Sequence, residues 1–190
     1  MLGHASGICH IYVDETADFH KTLRIIEDSK CQYPAACNSV ETVLINKNIL
    51  SGFVPVFVKK MAELGVKVNG DVECRKLDNS IGDVSKWAHE YGEKELSIKS
   101  VNDVEQAVEH INTFGSGHTD CIISENTNSV NYFMARVDSA GVYHNASTRF
   151  ADGFRYGFGA EVGISTNKTH ARGPVGLDRL TIYKYQMFVN

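Results

Sequence analysis

The sequence lacks the patterns that would assign a partner or a cofactor directly. No run of Lys or Arg occurs among its 190 residues, and the net charge is −4, which argues against nucleic acid or a membrane surface as a partner. No apolar run approaches the length of a membrane span, so no spanning helix is predicted. Neither a GxGxxG nor a Walker A motif is complete. The chain therefore carries no sequence pattern for a nucleotide site of its own.

The cysteines also lack a pattern. They number five and stand at positions 9, 31, 37, 74 and 121, with no CxxC pair. An odd, scattered set favours neither a zinc ribbon nor a disulfide framework, so we predict no metal site and expect reduced thiols in a reducing compartment. The first residues contain no basic stretch followed by an apolar one, so no secretory signal is predicted.

The sequence does contain alternating strand and helix patterns. Hydrophobic residues make up 43% and charged residues 22%, as in a globular domain, here one domain or one domain with a short arm. Asp14 and Thr16 are suitable N-cap residues for the first helix, and residues 150–176 are predicted to be irregular. Strands are predicted at 7–13, 40–45, 66–68, 96–101, 121–123, 141–144 and 181–189, and helices at 17–31, 53–64, 102–113 and 131–137. This order predicts an α/β fold with a largely parallel sheet.

Cys37 is the first candidate for chemistry. It lies among the small residues of the segment 33–39, Tyr-Pro-Ala-Ala-Cys-Asn-Ser, which would let a substrate approach the sulfur closely. A thiolate is a nucleophile for acyl transfer, and the cysteine's own backbone N–H is available to a developing oxyanion. The alternative is a small buried hydrophobic residue, which is the commoner role of a free cysteine.

Three further cationic positions admit two interpretations each. His118 follows Gly115-Ser116-Gly117 and is either a proton donor or a turn residue at the start of a strand. Arg149 closes the polar segment 145–149 after a predicted strand, and either binds a carboxylate or phosphate or forms a surface ion pair. The loop containing His170 and Arg172 has the same two alternatives.

Several stretches together resemble one known family. They are residues 2–14, the motif Tyr-Pro-Ala-Ala-Cys-Asn at 33–38, and the segments 101–122, 145–150 and 159–166. Over essentially its whole length the chain resembles the C-terminal half of glutamate-5-semialdehyde dehydrogenase, also called γ-glutamyl phosphate reductase, a branch of the aldehyde dehydrogenase superfamily. It is most similar to the version fused behind a glutamate kinase in eukaryotic pyrroline-carboxylate synthase.

The resemblance implies an activity and a set of site residues. The family reduces γ-glutamyl phosphate to glutamate 5-semialdehyde with NADPH and releases phosphate, a step of proline synthesis. Cys37 would be the nucleophile that forms a thioester, and Glu90 would contact the nicotinamide ribose, although Gly92 replaces the usual aromatic residue two positions later. The implied substrate-binding residues are Asn38, Asn145, Ser147 and Arg149.

The resemblance also implies an organisation. Residues 1–150 would be an aldehyde-dehydrogenase-like catalytic domain, a mostly parallel sheet flanked by helices, and residues 151–190 a C-terminal return segment and interaction arm. The family's main cofactor-binding half would precede this chain, which would then be a fragment. The implied partners are a second copy of the chain and a fused glutamate kinase domain, and the implied location is the cytoplasm, or the mitochondrial matrix for an animal parent.

Two other functions remain open at this stage. A non-catalytic remnant would keep the fold and the assembly surface, and the missing dinucleotide motif favours it. A generic aldehyde dehydrogenase is the other alternative. The segment 2–5, Leu-Gly-His-Ala, contains no carboxylate where hydrolytic members keep the glutamate that hydrolyses the thioester. That difference favours an acyl-phosphate reductase.

Overall fold

The computed structural model describes residues 6–161, 163–166, 168 and 172–189. Seven strands form one sheet in the order β4-β3-β5-β2-β1-β6-β7. All neighbouring pairs in that sheet are parallel, which confirms the predicted α/β class. The strands are β1 Cys9–Val13, β2 Val40–Asn46, β3 Lys67–Gly70, β4 Gly82–Asp83, β5 Glu95–Val101, β6 Thr119–Ile123 and β7 Gly141–His144.

Helices cover both faces of this sheet. Residues of α1 and α2 pack in one apolar cluster with the strands, and residues of α4 and α5 pack in a second. In β1, Ile11 belongs to the first cluster and Tyr12 to the second, as the two-residue period of a strand requires. The helices are α1 Phe19–Cys31, α2 Leu50–Glu63, α3 Val72–Arg75, α4 Val104–Phe114 and α5 Thr127–Arg136. In the described parts of the chain, no helix is long and apolar enough to cross a bilayer.

The start of α1 differs from the prediction. Neither Asp14 nor Thr16 caps the helix; Asp18 does, and its side chain accepts a hydrogen bond from the Lys21 backbone N–H. The Asp14 carboxylate is buried and accepts hydrogen bonds from the Tyr12 and Ser124 hydroxyls at 3.0 and 2.7 Å. Because Ser124 directly follows β6, Asp14 joins two strand ends instead of starting a helix.

The predicted terminal strand is wrong. Residues 181–189 form no strand with any described part of the chain, and their side chains are strongly exposed, Ile182 at 98% and Tyr185 at 90%. An extended segment becomes a strand only where a neighbour supplies hydrogen bonds. The segment predicted to be irregular instead contains a short antiparallel pair, β8 Ile164–Ser165 with β9 Gly173–Pro174. The short elements α3 and β4 were also not predicted.

Candidate active site

Cys37 lies in a tight turn between α1 and β2. The Ser39 N–H donates to the Ala36 carbonyl at 2.8 Å, so Cys37 and Asn38 are the two central residues of that turn. The Cys37 side chain is half-buried. Gly7 lies against the backbone of this turn, and a Cβ at Gly7 would be 2.1 Å from the Cys37 carbonyl oxygen. The glycine before β1 therefore lets the turn pack directly on the sheet edge.

The structure brings His118 to Cys37. Gly7, Cys37 and His118 precede β1, β2 and β6, and β1 pairs in parallel with the other two strands. The three residues thus meet at the amino-terminal edge of the sheet. His118 is fully buried, and its Nε2 is 3.2 Å from the Cys37 Sγ. From the local sequence, the glycine turn was evident but this role of His118 was undecided.

The thiol of Cys37 favours its protonated form. Burial raises its pKa, and the charges of Glu161 and Glu90 raise it further, while its own backbone N–H and the Arg149 guanidinium act in the opposite direction. Burial and the neighbouring charge of Asp152 likewise raise the pKa of Glu161. Glu161 is not among the predicted site residues, because no local pattern indicates that residue 161 returns to the surroundings of residue 37.

Arg149 and Asn38 lie together beside Cys37. Arg149 is in a short 3₁₀ turn, Thr148–Phe150, and its Nε donates to the Gln32 Oε1 at 3.1 Å. Its Nη1 donates to the Asn38 Oδ1, and the Asn38 Nδ2 donates to the Ala151 carbonyl at 2.9 Å. Within the described residues, the Arg149 guanidinium donates to amide oxygens and forms no ion pair. The charge of the guanidinium acts on the Cys37 thiol and lowers its pKa.

Glu90 approaches the same site from the segment before β5. Its side chain is half-buried, and its charge acts on the Cys37 thiol. The next residue is anchored, because the Tyr91 N–H donates to the Glu41 Oε2 at 3.3 Å. Glu41 is fully buried in β2 and pairs with Lys30 at 2.9 Å. This buried pair was not predicted from the sequence, and it connects α1, β2 and the Glu90 segment.

Asn145 and Ser147 lie further from the thiol. Asn145 follows β7 at the opposite edge of the sheet, where its Oδ1 accepts from the Ser124 N–H at 3.2 Å. Ser147 is buried and accepts from the Ser29 hydroxyl at 3.0 Å. Both line a cleft of about 950 Å³ against α1, whose walls include Lys21, Arg24 and Arg155. The structure does not bring Asn145 into contact with Cys37.

The second cationic loop is only partly described. His170 lies outside the described residues, as does the segment 2–5. Arg172 forms an ion pair with Asp138 at 2.8 Å, and its Nη2 donates to the Gly117 carbonyl at 3.2 Å. Arg172 thereby holds the turn that immediately precedes His118.

Relatives of known name match this chain along its whole length. It is 61% identical over 192 residues to a gamma-glutamyl phosphate reductase of Brachyspira hyodysenteriae, a match that covers 100% of the chain and 44% of that relative. The chain is homologous to part of the gamma-glutamyl phosphate reductases. It spans less than half the length of this relative. No protein-family model matches it.

Solved structures agree with this homology. The gamma-glutamyl phosphate reductase of Thermotoga maritima superposes with a TM-score of 0.93 at 41% identity, covering 100% of this chain and 47% of that one. An acetylating aldehyde dehydrogenase of Geobacillus thermoglucosidasius, 16% identical, covers 100% of this chain and 53% of its own with a TM-score of 0.68. An engineered glycolyl-CoA reductase with bound NADP⁺, 14% identical, covers 91% of this chain and 48% of its own with a TM-score of 0.64. The fold is therefore that of the aldehyde dehydrogenase superfamily.

Proposed function

We propose that this chain supplies the catalytic part of a glutamate-5-semialdehyde dehydrogenase, which reduces γ-glutamyl phosphate to glutamate 5-semialdehyde with NADPH and releases phosphate in proline synthesis. The observation that carries the proposal is the Cys37 turn. It presents a half-buried thiol beside a cationic guanidinium and a buried imidazole, in a chain 61% identical to a gamma-glutamyl phosphate reductase.

Cys37 would act as the nucleophile. Its thiolate attacks the acyl carbon of γ-glutamyl phosphate, the bond from that carbon to the phosphate oxygen breaks, and a thioester to Cys37 remains. The backbone N–H of Cys37 is the donor that this chain offers to the developing oxyanion. Reduction of the thioester gives a hemithioacetal, whose C–S bond then breaks to release the aldehyde and restore the thiolate.

Arg149 and Asn38 would hold an anionic part of the substrate. The Arg149 guanidinium lies close enough to Cys37 for its charge to lower the pKa of the thiol, and a guanidinium can bind a carboxylate or phosphate through two hydrogen bonds. Asn38 orients it through the Oδ1 contact. Asn145 and Ser147 would act on the substrate only through the cleft against α1.

The residues present fit the nicotinamide end of the cofactor. NADPH supplies the hydride when it is bound. Glu90 is a half-buried carboxylate whose charge reaches Cys37, and a carboxylate can accept hydrogen bonds from ribose hydroxyls. The Lys30–Glu41 pair would fix its segment through the Tyr91 N–H.

The proposal also includes the domain organisation of the chain and its assembly. Residues 1–150 would carry the catalytic domain, and residues 151–190 the return segment and an interaction arm. The arm exposes a row of large apolar side chains that would be covered in a homo-oligomer. Their exposed fractions range from 82 to 98% in Ile182, Tyr183, Tyr185, Met187, Phe188 and Val189.

A chimaera tests the function directly. The 190 residues replace the matching segment of the Brachyspira hyodysenteriae relative, and NADP⁺- and phosphate-dependent oxidation of glutamate 5-semialdehyde is measured. We expect activity, a loss of about a thousandfold or more in Cys37→Ser, and a raised KM in Arg149→Lys. Cys31→Ser is the control, because Cys31 is a half-buried thiol at the end of α1.

Three outcomes would contradict the proposal. A chimaera that folds and binds NADPH but has no turnover would identify a non-catalytic remnant. Near-normal turnover of the Cys37→Ser chimaera would exclude Cys37 as the nucleophile. Equal rates with and without phosphate would instead indicate a generic aldehyde dehydrogenase.

A further inference from the structure

His118 is positioned for proton transfer by contacts on both ring nitrogens. Its Nε2 is 3.2 Å from the Cys37 Sγ, and its Nδ1 is 2.9 Å from the Thr119 Oγ1. When Nδ1 carries the proton and donates it to the Thr119 hydroxyl, Nε2 presents a lone pair to the thiol. The side chain is fully buried, so the ring keeps this orientation without exchanging partners with bulk water.

The Cys37 thiol needs a neighbouring base in order to lose its proton. Burial and the charges of Glu161 and Glu90 raise the pKa of the Cys37 thiol, against the opposing effect of Arg149. Cys9 also faces the turn, and its Sγ donates to the Cys37 carbonyl at 3.4 Å. Because Cys9 acts as a donor there, it is not the group that accepts the proton of the Cys37 thiol. On the imidazole side, Arg172 and Tyr156 line the small cavity that His118 shares with Thr119.

From this geometry we propose that His118 is the acid–base catalyst of the thiol step, taking the Cys37 proton at Nε2 and delivering it to the departing phosphate. The proposal rests on the proposed function for the substrate and on the 3.2 Å contact for the proton path. Thr119 is a positioning residue, because its hydroxyl accepts from Nδ1–H in the tautomer whose Nε2 faces the Cys37 thiol as an acceptor.

The proton and the electrons balance over the step. Cys37–SH transfers its proton to Nε2, and the sulfur electron pair forms the bond to the acyl carbon. The bond from that carbon to the phosphate oxygen breaks with its electron pair on oxygen. That oxygen takes the proton from the His118 imidazolium, so hydrogen phosphate leaves and the imidazole returns neutral. After reduction, the expelled thiolate is reprotonated by one solvent proton through the same imidazole.

The test measures alkylation of Cys37 by iodoacetamide as a function of pH, read by mass spectrometry of the Cys37 peptide. A thiol without a base is alkylated at a rate that rises about tenfold per pH unit until the thiol titrates. We expect the wild-type chain to show an additional inflection and a nearly constant rate across neutral pH. His118→Gln is expected to lose that inflection and to react tenfold to a hundredfold more slowly at pH 7.

Matched variants separate a chemical role from a structural one. His144→Gln is the control, because His144 is exposed at the end of β7, where its Nε2 contacts the Ser124 carbonyl. Thr119→Val should keep the fold and give an intermediate alkylation rate. In the chimaera, His118→Gln should lower kcat by about 10²–10⁴ with little change in KM.

The proposal is overturned by either of two results. One is a wild-type alkylation profile with a single inflection, in the alkaline range. This result can be obtained even if the variants do not fold. The other is an unchanged profile in a folded His118→Gln chain. Because alkylation requires neither substrate nor NADPH, it decides this inference separately from the Cys37→Ser assay, which decides the proposed function.

Discussion

At the scale of single residues, Gly7 controls where the candidate nucleophile lies. A Cβ at this position would meet the Cys37 carbonyl oxygen, Cα and carbonyl carbon at 2.1, 2.5 and 2.6 Å. All three are backbone atoms, so no side-chain rotation can relieve the overlap. The turn itself would have to move away from the sheet edge, and Cys37 would move with it.

Gly7→Ala is therefore expected to destabilise the fold by about 1–3 kcal/mol, as overpacking does, and to change the alkylation rate of Cys37. Gly52→Ala is the matched control: in α2 its Cβ would meet only the Phe19 ring, at 3.7 Å, and alanine in a helix is neutral or stabilising. Urea unfolding and Cys37 alkylation check both variants. Equal behaviour of the two would show that the close approach at Gly7 has no consequence.

Single residues were also the least predictable part of the site. The sequence indicated Cys37 through its small neighbours, but His118, Glu161 and Glu90 reach it across 81, 124 and 53 residues of chain. The His118 contact depends on the strand order β2-β1-β6, which no local pattern contains. The Asp14 carboxylate illustrates the same limit, because its hydrogen-bond partner Ser124 lies 110 residues away. That hydrogen bond connects two strand ends, and Asp14 does not cap a helix.

At the scale of elements, hydrophobic periodicity was sufficient to predict the helices and strands wherever burial of apolar side chains determines the structure. The first six predicted strands and the four predicted helices all exist, because each buries a stripe or a face in one of the two apolar clusters. The terminal strand failed for the same physical reason. Its apolar residues find no cover within the described chain, and neither hydrogen bonds nor burial make it a strand there.

The Lys30–Glu41 pair couples α1 to β2 near the site. Both side chains are fully buried, and the ammonium and carboxylate are 2.9 Å apart. Burial raises the pKa of Glu41 to about 7 despite the ammonium and lowers the pKa of Lys30. Removing one partner of such a pair leaves a buried group that prefers to be neutral, whereas removing both avoids this.

Lys30→Met is expected to cost about 3–5 kcal/mol of unfolding free energy, and the double variant Lys30→Met, Glu41→Leu less than either single change. In Lys30→Met the folded carboxyl stays protonated while the unfolded one ionises near pH 4.3. The unfolded chain then binds fewer protons, so stability should fall as pH rises from about 4 towards 7. Urea unfolding at several pH values measures this. Additive losses in the double variant would show that the two groups are not coupled.

At the scale of the whole molecule, the chain presents an unusual balance of surfaces. Its sheet is covered on both faces, yet the segment 181–189 and Phe154, Phe158 and Leu177 expose large apolar side chains, from 62% for Phe158 to 98% for Ile182. The chain matches less than half of the Brachyspira relative. These surfaces are suited to contacts with further protein, whether a second copy or the rest of a longer chain.

The 190-residue chain by itself is therefore expected to self-associate and to have no reductase turnover. Reduction requires a nicotinamide held against the thioester, and positioning of that kind supplies several kcal/mol of barrier lowering. The sequence completes no glycine-rich phosphate-binding motif, and Glu90 offers only a ribose contact. Among the described residues, the Cys37 backbone N–H is the donor assigned to the oxyanion, and an oxyanion site short of one donor reacts about a hundredfold or more slowly.

Calorimetric titration with NADPH and the phosphate-dependent semialdehyde assay check this on the purified chain, with the active chimaera as the positive control. Sedimentation of the chain and of a form ending at Leu180 checks the association. The association should weaken in the shorter form, because the exposed apolar side chains after Leu180 are then absent. Micromolar NADPH binding together with turnover would contradict the expectation. It would mean that these residues form an NADPH site by themselves.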